Sequence, residues 1–261
     1  MSADEFLTEL DDLVRKPRVL TFDIETRPIN AYVWGLWDQN VGLTQIVDPG
    51  GVMCFAAKWY GEKGVLFYSD HVDGHDAMIR HAHRLLTEAD FVIHYNGARF
   101  DVTHLNWEFT RLGLAPPKPY KQVDLLQTVR RQFRPPSKKL DYVAGALGLG
   151  HKRAHEGFTL WTSCIAGDEK AWDRMRRYNI QDVRLTEKLY DRLLPWIPNH
   201  PHMGLYADAG HCCPMCGSKR RKPADLARTA LTSYAQYECA KCGTFYRANF
   251  VKGRVTTRIS R

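Results

Sequence analysis

Residues 18–26 read RVLTFDIET, an apolar run that ends in two carboxylates separated by a single residue. Its β-branched and aromatic side chains predict a buried strand. Because successive side chains of a strand point to opposite faces, Asp23 and Glu25 share one face and Ile24 occupies the other. Two carboxylates on one face repel each other, and a divalent cation between them would remove that cost. The alternative for this segment alone is an acidic strand edge without function.

The segments that follow predict an α/β layer fold, in which strands and helices alternate. Apolar runs predict strands over 52–60 and 65–69, joined by a turn at 61–64, and a short buried strand over Phe91–Tyr95. Periodic spacing predicts helices over 2–14, 75–89, 101–112, 124–133, 140–147, 168–177 and 178–194. Three prolines between Pro195 and His202 end this body.

Two further segments carry acidic residues at positions where chemistry is common. Residues 96–101 read NGARFD, directly after the strand over 91–95, and place Asp101 at the start of a helix. An aspartate there is often only a helix cap. Residues 178–182 read YNIQD, so that Tyr178 and Asp182 lie on one helix face. Each segment alone is a weak signal.

Taken together and in this order, the three segments resemble the DEDD superfamily of 3′→5′ exonucleases, which have a ribonuclease H-like fold. The tyrosine in the third segment is similar to that of the DEDDy branch, because the other branch would have histidine where Arg177 stands. The resemblance covers about residues 17–195, and the nearest likeness is to the proofreading domains of family B DNA polymerases. It implies a mixed sheet flanked by helices.

The resemblance also implies a two-metal hydrolysis of phosphodiester bonds at an all-oxygen site that favours Mg²⁺ or Mn²⁺. Asp23 would bridge both metals, Glu25 and Asp182 would hold the metal beside the attacking water, and Asp101 would support the second metal. Tyr178 would orient that water. Single-stranded DNA is the expected substrate. The alternatives are an exoribonuclease and a catalytically inactive nucleic-acid-binding or recruitment module.

Two features near these segments remain open from the sequence. Asn96 either contacts substrate or braces the turn at Gly97. A basic stretch between the second and third segments either follows a phosphate backbone or is a solvated loop; it consists of Arg130, Arg131, Arg134, Lys138 and Lys139.

The cysteines are concentrated near the C-terminal end, where five of the seven lie between residues 212 and 242. Cys213-Pro-Met-Cys216 and Cys239-Ala-Lys-Cys242 are two C-x-x-C pairs, each followed by glycine. Four thiolates at this spacing suit one structural, tetrahedral Zn²⁺, and the segment over about 209–250 resembles a zinc ribbon. Cys213 is preferred over its neighbour Cys212 because it keeps the spacing. Aromatic residues flank the second pair, as nucleic-acid contacts or as the core of the ribbon.

Composition and charge bound the remaining possibilities. The chain has 261 residues, of which 44% are hydrophobic and 25% charged, as in ordinary globular proteins. We expect a nuclease domain over residues 1–200 and a zinc-ribbon domain over residues 205–261. The net charge of +8 lies entirely in residues 201–261, which predicts a polyanionic partner, with a protein partner of the ribbon as the alternative. No signal peptide or membrane span is recognised, so a cytoplasmic location is expected.

Overall fold

The computed structural model describes residues 16–206 and 211–254, so the predicted helix over 2–14 lies outside the described residues. These residues separate into two compact units. The first contains residues 18–189, and the second contains the described residues among 1–17 and 190–261. The predicted boundary between residues 200 and 205 stays a prediction. Within the part of the chain that is described, no helix combines the length and apolar character needed to cross a membrane.

The first unit is organised around a five-stranded mixed sheet. The strands of this unit are β1 (Val19–Arg27), β2 (Asn30–Ala31), β3 (Ile46–Asp48), β4 (Gly51–Trp59), β5 (Leu66–Ser69), β6 (Phe91–His94) and β7 (Lys121–Asp124). The order in the sheet is β5-β4-β1-β6-β7, and β2 and β3 form a separate pair. Strand β1 lies at the centre, antiparallel to β4 and parallel to β6. The strand predicted from residues 18–26 is therefore the middle of the sheet.

Six helices accompany these strands in the described residues. They are α1 (His75–Glu88), α2 (Asp101–Arg111), α3 (Leu125–Gln132), α4 (Leu140–Ala146), α5 (Phe158–Ile165) and α6 (Glu169–Leu193). The two helices predicted over 168–177 and 178–194 are one continuous helix, which corrects that prediction. No glycine or proline interrupts residues 169–193, so nothing in the chain stops the helix at residue 177.

Several short elements were not predicted from the sequence, among them β7 and α5. Strand β7 has only one buried residue, Val123, and its remaining side chains are polar or charged. It forms because its backbone continues the parallel ladder of β6. Helix α5 is short and contains residues with low helix propensity, and it is held by the burial of Leu160 and Cys164. Tertiary contacts therefore decide both elements.

The sheet is buried on both faces by helices, which fixes the direction of the β1 side chains. Phe22 and Ile24 belong to one cluster that includes residues of α1 and α2. Met53 and Cys54 of β4 belong to a second cluster with residues of α5 and α6. Full burial of a side chain such as Phe22 stabilises the fold by about 1.5–3 kcal/mol. With Phe22 and Ile24 fixed in the first cluster, Asp23 and Glu25 project toward the α6 side of the sheet.

The described part of the second unit is small, and strands make up most of its regular secondary structure. Two single turns of 3₁₀ helix cover Leu194–Trp196 and Met203–Leu205. The strands are β8 (Arg221–Pro223), β9 (Ala227–Arg228), β10 (Thr232–Cys239) and β11 (Phe245–Arg254). Strand β10 pairs antiparallel with the other three. We call the described residues 211–254 the cysteine ribbon.

Candidate active site

Three separate segments of the first unit bring carboxylates to one place. Oxygen atoms of Asp23, Glu25 and Asp182 all lie within 4.8 Å of one another. Asp23 and Glu25 come from the centre of β1, and Asp182 comes from α6. Asp101, at the start of α2, adjoins them because its Oδ1 accepts a hydrogen bond from the backbone N–H of Ile24 at 2.9 Å. The structure therefore brings together all four predicted carboxylates.

Burial and mutual repulsion disfavour the charged forms of these acids. Burial, followed by the charges of Asp101, Glu25 and Asp182, raises the pKa of Asp23 well above its ordinary value. Burial and the charge of Asp182 raise the pKa of Glu25 to about 8. The pKa of Asp101 rises to about 6, chiefly through burial. Such a cluster of acids is costly without a compensating cation.

Helix α6 contributes a second polar residue that the sequence analysis did not single out. Asn179 is fully buried, and its Nδ2 donates to Asp23 Oδ2 at 2.7 Å. This bond fixes the Asp23 carboxylate relative to α6. Asn179 lies inside the 178–182 segment, but the interpretation of that segment considered only Tyr178 and Asp182.

Lys152 is the other residue that sequence reasoning missed. Its Nζ lies 2.5 Å from Asp182 Oδ2 and donates to the Tyr178 hydroxyl at 3.0 Å. Although burial works against its charge, Asp182 and Tyr178 raise the pKa of Lys152 above its ordinary value. No sequence pattern marked Lys152, because it lies in an irregular segment between α4 and α5.

Tyr178 is placed between this lysine and the acids. Burial and the neighbouring Asp182 charge raise the pKa of Tyr178 above its ordinary value, so the hydroxyl is protonated at neutral pH. Burial raises the pKa of Asp182, and the charge and hydrogen bond of Lys152, followed by the hydrogen bond of Tyr178, lower it in part. Lys152, Tyr178 and Asp182 therefore form a connected chain of charge-assisted hydrogen bonds.

Asn96 occupies a strained turn at the end of β6. Its φ is +71°, in the left-handed region that few residues other than glycine adopt. The backbone N–H of Asn96 donates to Asp124 Oδ1 at 3.0 Å, and that of Gly97 donates to His94 Nδ1 at 3.0 Å. These bonds hold the turn, and strain of this kind is often stored at functional sites.

A cleft of about 550 Å³ opens beside Asp23. Arg130, Lys138, Lys139 and Lys152 line it together with Asn96. The basic stretch noted in the sequence therefore contributes three of its five members to the wall of this cleft. Positive side chains beside a carboxylate cluster suit a substrate that carries phosphates.

The cysteine ribbon holds the second cluster, in which the sulfur atoms of Cys213, Cys216, Cys239 and Cys242 lie within 4.8 Å of one another. Cys212 is buried outside this set. Each pair closes with a glycine of positive φ, and the N–H of Gly217 donates to the Cys213 carbonyl at 2.9 Å.

Backbone hydrogen bonds prepare one of these thiols for the charged form. Burial acts against the charged form, but hydrogen bonds from the backbone of Cys242 and Lys241 lower the pKa of Cys239 to about 7. Four converging sulfurs with such support fit a tetrahedral Zn²⁺.

The tyrosines of the cysteine ribbon are half-buried rather than free for stacking. The guanidinium of Arg221 lies 4.6 Å from the ring centre of Tyr237, and that of Arg247 lies 4.2 Å from the ring centre of Tyr234. Phe245 is 60% exposed. The aromatic residues therefore serve both as packing for the small sheet and as supports for arginines.

The carboxylate cluster fits divalent cations on the chemistry of its donors. All its ligand atoms are oxygens, which Mg²⁺ and Mn²⁺ prefer. The buried Asp182 Oδ1 has no hydrogen-bond partner among the described residues, so it is available to a ligand. A cation among the acids would favour their charged forms and so lower these raised pKa values.

Comparisons with known proteins place the first unit in a family. A model of the RNase_H superfamily matches residues 20–194. The chain therefore belongs to the RNase_H superfamily. This membership supports a nucleic-acid-cleaving activity. A search of curated proteins finds no significant match.

A solved structure shares the fold. The family B DNA polymerase from the hyperthermophilic archaeon Pyrobaculum calidifontis matches with a TM-score of 0.54 and 19% sequence identity. The match covers 83% of this chain and 32% of that polymerase, so the chain spans about a third of the length of its structural relative. At this identity the likeness concerns the fold alone.

Proposed function

We propose that the protein is a divalent-metal-dependent 3′→5′ exonuclease of the DEDDy type that acts on single-stranded DNA. The observation that carries this proposal is the convergence of Asp23 and Glu25 of β1 with Asp182 of α6, whose carboxylate oxygens lie within 4.8 Å of one another. Asp101 and Tyr178 lie at the same place. The five residues match the motif order of that exonuclease branch, and the direction of degradation comes from this resemblance.

Each residue has a role that follows from its position. Asp23, Glu25 and Asp182 would hold divalent metal ions, with Asp101 in support. When bound, such ions supply charge stabilisation and an activated water for phosphodiester hydrolysis. The Tyr178 hydroxyl, which stays protonated, donates a hydrogen bond that orients the reacting group. Lys152 positions Tyr178 through its 3.0 Å bond to the hydroxyl oxygen.

The substrate assignment is supported by the cleft beside Asp23. Its basic side chains suit a phosphate backbone, and Asn96 lines the same cleft, where it would contact the terminal nucleotide. DNA is favoured over RNA because the structural relative is a DNA polymerase. An exonuclease that removes nucleotides from DNA would act in support of replication or repair.

For the cysteine ribbon we propose one structural Zn²⁺ bound by Cys213, Cys216, Cys239 and Cys242. The ribbon carries basic side chains on exposed positions, including Lys219, Arg220 and Lys222. These favour contact with nucleic acid, with a protein partner as the second outcome. Deletion of residues 205–261 distinguishes them, because only a nucleic-acid contact predicts weaker oligonucleotide binding.

Degradation of matched 5′-labelled single-stranded DNA and RNA with Mn²⁺ tests the activity, with wild type beside Asp23→Asn. We expect a ladder that shortens from the 3′ end, faster on DNA, and its loss in the variant. A faster ladder on RNA would make the protein an exoribonuclease. Folded, zinc-loaded protein that degrades neither polymer would overturn the enzymatic proposal.

A further inference from the structure

Between β1 and β4 the chain forms an arm, residues 28–50, that displays large apolar side chains to solvent. Trp34 is 99% exposed, Trp37 82% and Tyr32 77%. Leu36 and Leu43 are also largely exposed. Soluble proteins rarely expose so many large apolar groups in one segment without a binding role. The active-site residues described above do not include any member of this arm.

The arm is a built element with internal hydrogen bonds. Strands β2 and β3 pair across it. Tyr32 N–H donates to the Gln45 carbonyl at 3.0 Å, and Gln45 Nε2 donates back to the Tyr32 carbonyl at 2.9 Å. These bonds close the loop that carries Trp34 and Trp37, and a closed loop loses less entropy on binding than a free one.

The base of the arm is fixed to the first unit. Arg27 Nη2 forms an ion pair with Asp70 at 2.7 Å, just before the arm begins. At its end, Gly50 has a φ of +76°, and a Cβ there would lie 2.5 Å from the Arg27 carbonyl oxygen. Glu108, itself buried, accepts from the backbone N–H of Val52. The two ends of the arm are therefore held together where β1 ends and β4 begins.

The carboxylates lie near the same end of β1. Glu25 is two residues from the end of β1, which corresponds to about 7 Å of strand. The parallel strand β6 ends at the same edge and leads into the Asn96 turn. The arm therefore leaves the sheet at the end of β1 that carries Asp23 and Glu25.

The arm and the cleft differ in charge, and this difference fits the bases and the phosphate backbone of a single strand. Residues 28–57, which include the whole arm, contain no lysine or arginine and two aspartates. The arm therefore has no positively charged side chain that could contact phosphates. The cleft supplies Arg130, Lys138 and Lys139 for the backbone. Aromatic rings stack on any base, whatever its identity. We propose that Tyr32, Trp34 and Trp37 form a stacking platform for the bases of the single-stranded substrate. This inference rests on the proposed function, because it takes the occupant of the cleft to be a nucleic acid.

The test compares binding of a short 5′-fluorescein-labelled oligothymidylate with that of the same oligomer carrying abasic residues. Both are measured by fluorescence anisotropy in the Asp23→Asn background, so that binding is read without cleavage. We expect Trp34→Ala combined with Trp37→Ala to weaken binding of the base-containing oligomer by at least about tenfold and to leave the abasic oligomer unchanged. The slope of affinity against salt should not change, because no phosphate contact is removed.

Two controls separate stacking from other effects. Trp107→Ala removes a tryptophan on α2 that is 63% exposed, and it should leave both affinities unchanged. Lys138→Ala should weaken both oligomers alike and lower the salt slope by about one. Unchanged thermal unfolding of the arm variant shows that it is folded, which is expected for exposed positions.

The outcomes distinguish this inference from the proposed function. Equal affinity of the arm variant and its parent for the base-containing oligomer would overturn the stacking platform and leave the exonuclease proposal intact. Equal weakening on both oligomers would overturn it as well. If the variant instead changes the sedimentation behaviour of the protein and not its oligomer binding, the arm contacts protein, and the inference is wrong. Failure of wild type to cleave DNA would count against the exonuclease proposal alone.

Discussion

The carboxylate cluster and the thiol cluster are both suited to metal ions, but they are assembled in different ways. Asn179 and Asp23, which meet at the carboxylate cluster, lie 156 residues apart in the chain. Cys213 and Cys242, which span the thiol cluster, lie 29 residues apart. The first depends on the packing of a helix onto a sheet with its own core. The second depends on two local turns in a unit with few buried apolar residues.

The two clusters also differ in how metal binding is coupled to folding. The first unit has two hydrophobic clusters on its sheet, so its fold does not require the metal. It tolerates repulsion among buried acids instead. The cysteine ribbon is too small to be stable on its core alone, so its folding free energy should come largely from the metal.

The largest expected effect is loss of the folded cysteine ribbon in Cys242→Ala. A structural zinc site contributes about 10 kcal/mol or more, and most of it should disappear with one thiolate. We expect zinc content to fall from one ion per chain to near zero, and amide protection to be lost across 221–254 and kept in 18–189. Elemental analysis and hydrogen exchange measure both. Cys212→Ala is the matched control, and zinc loss in that variant instead would contradict the ligand assignment.

The next largest effect is expected at Asp23, where substitution should lower activity and raise stability. Asp23→Asn should lower nuclease activity by at least about a hundredfold, because several kcal/mol of charge stabilisation depend on it. Without metal, and at a pH high enough to ionise Asp23, the same substitution should raise the unfolding temperature by roughly 2–4 °C, since it removes one charge from a repelling cluster. Glu62→Gln, at an exposed turn, should change neither. A lower unfolding temperature in Asp23→Asn would show that repulsion is not significant.

A smaller effect is expected at Lys152, whose amine competes for Asp182. In Lys152→Met, the magnesium concentration at half-maximal activity should fall, because Nζ no longer lies 2.5 Å from Asp182 Oδ2. The kcat should drop about tenfold, the effect of one charged hydrogen bond to Tyr178 worth about 1.5 kcal/mol. Lys152→Arg should restore part of the kcat. An unchanged kcat would show that Lys152 does not position the tyrosine.

The smallest effect concerns the pH dependence of stability at His94. Burial lowers the pKa of His94, despite the nearby Asp124, so its ring is neutral and Nδ1 accepts from Gly97 N–H. The unfolded chain takes up a proton as pH falls through about 6.5, before the folded protein does. The contribution of His94 to the free energy of unfolding should therefore be complete above about pH 6.5 and should decline as the pH falls below it.

Denaturant unfolding between about pH 7 and pH 5 measures this contribution. His94→Asn should be less stable at neutral pH and should lose less stability on acidification than wild type. Parallel decline of the two proteins would assign the pH dependence to other groups.

The sequence predicted much of the first unit because its signals are local. Alternation in β1 was sufficient to place Asp23 and Glu25 on one face, and most of the helices have nearly the predicted bounds. The split of α6 was wrong, since no residue between 169 and 193 breaks a helix. Strand β7 was missed because its polar side chains carry no alternation, and only the β6 ladder makes it a strand.

Sequence alone determined the kinds of groups available: four carboxylates and a tyrosine in the order of a nuclease motif, and two cysteine pairs at zinc spacing. Spacing along a strand, a helix or a tight turn is local geometry, so it can be inferred without the fold. Only the tertiary structure placed Lys152 against Asp182 and Tyr178, fixed Asn179 on Asp23, and left Trp34 and Trp37 in solvent. Those outcomes depend on which distant segments pack together and which remain uncovered, and no local pattern encodes that choice.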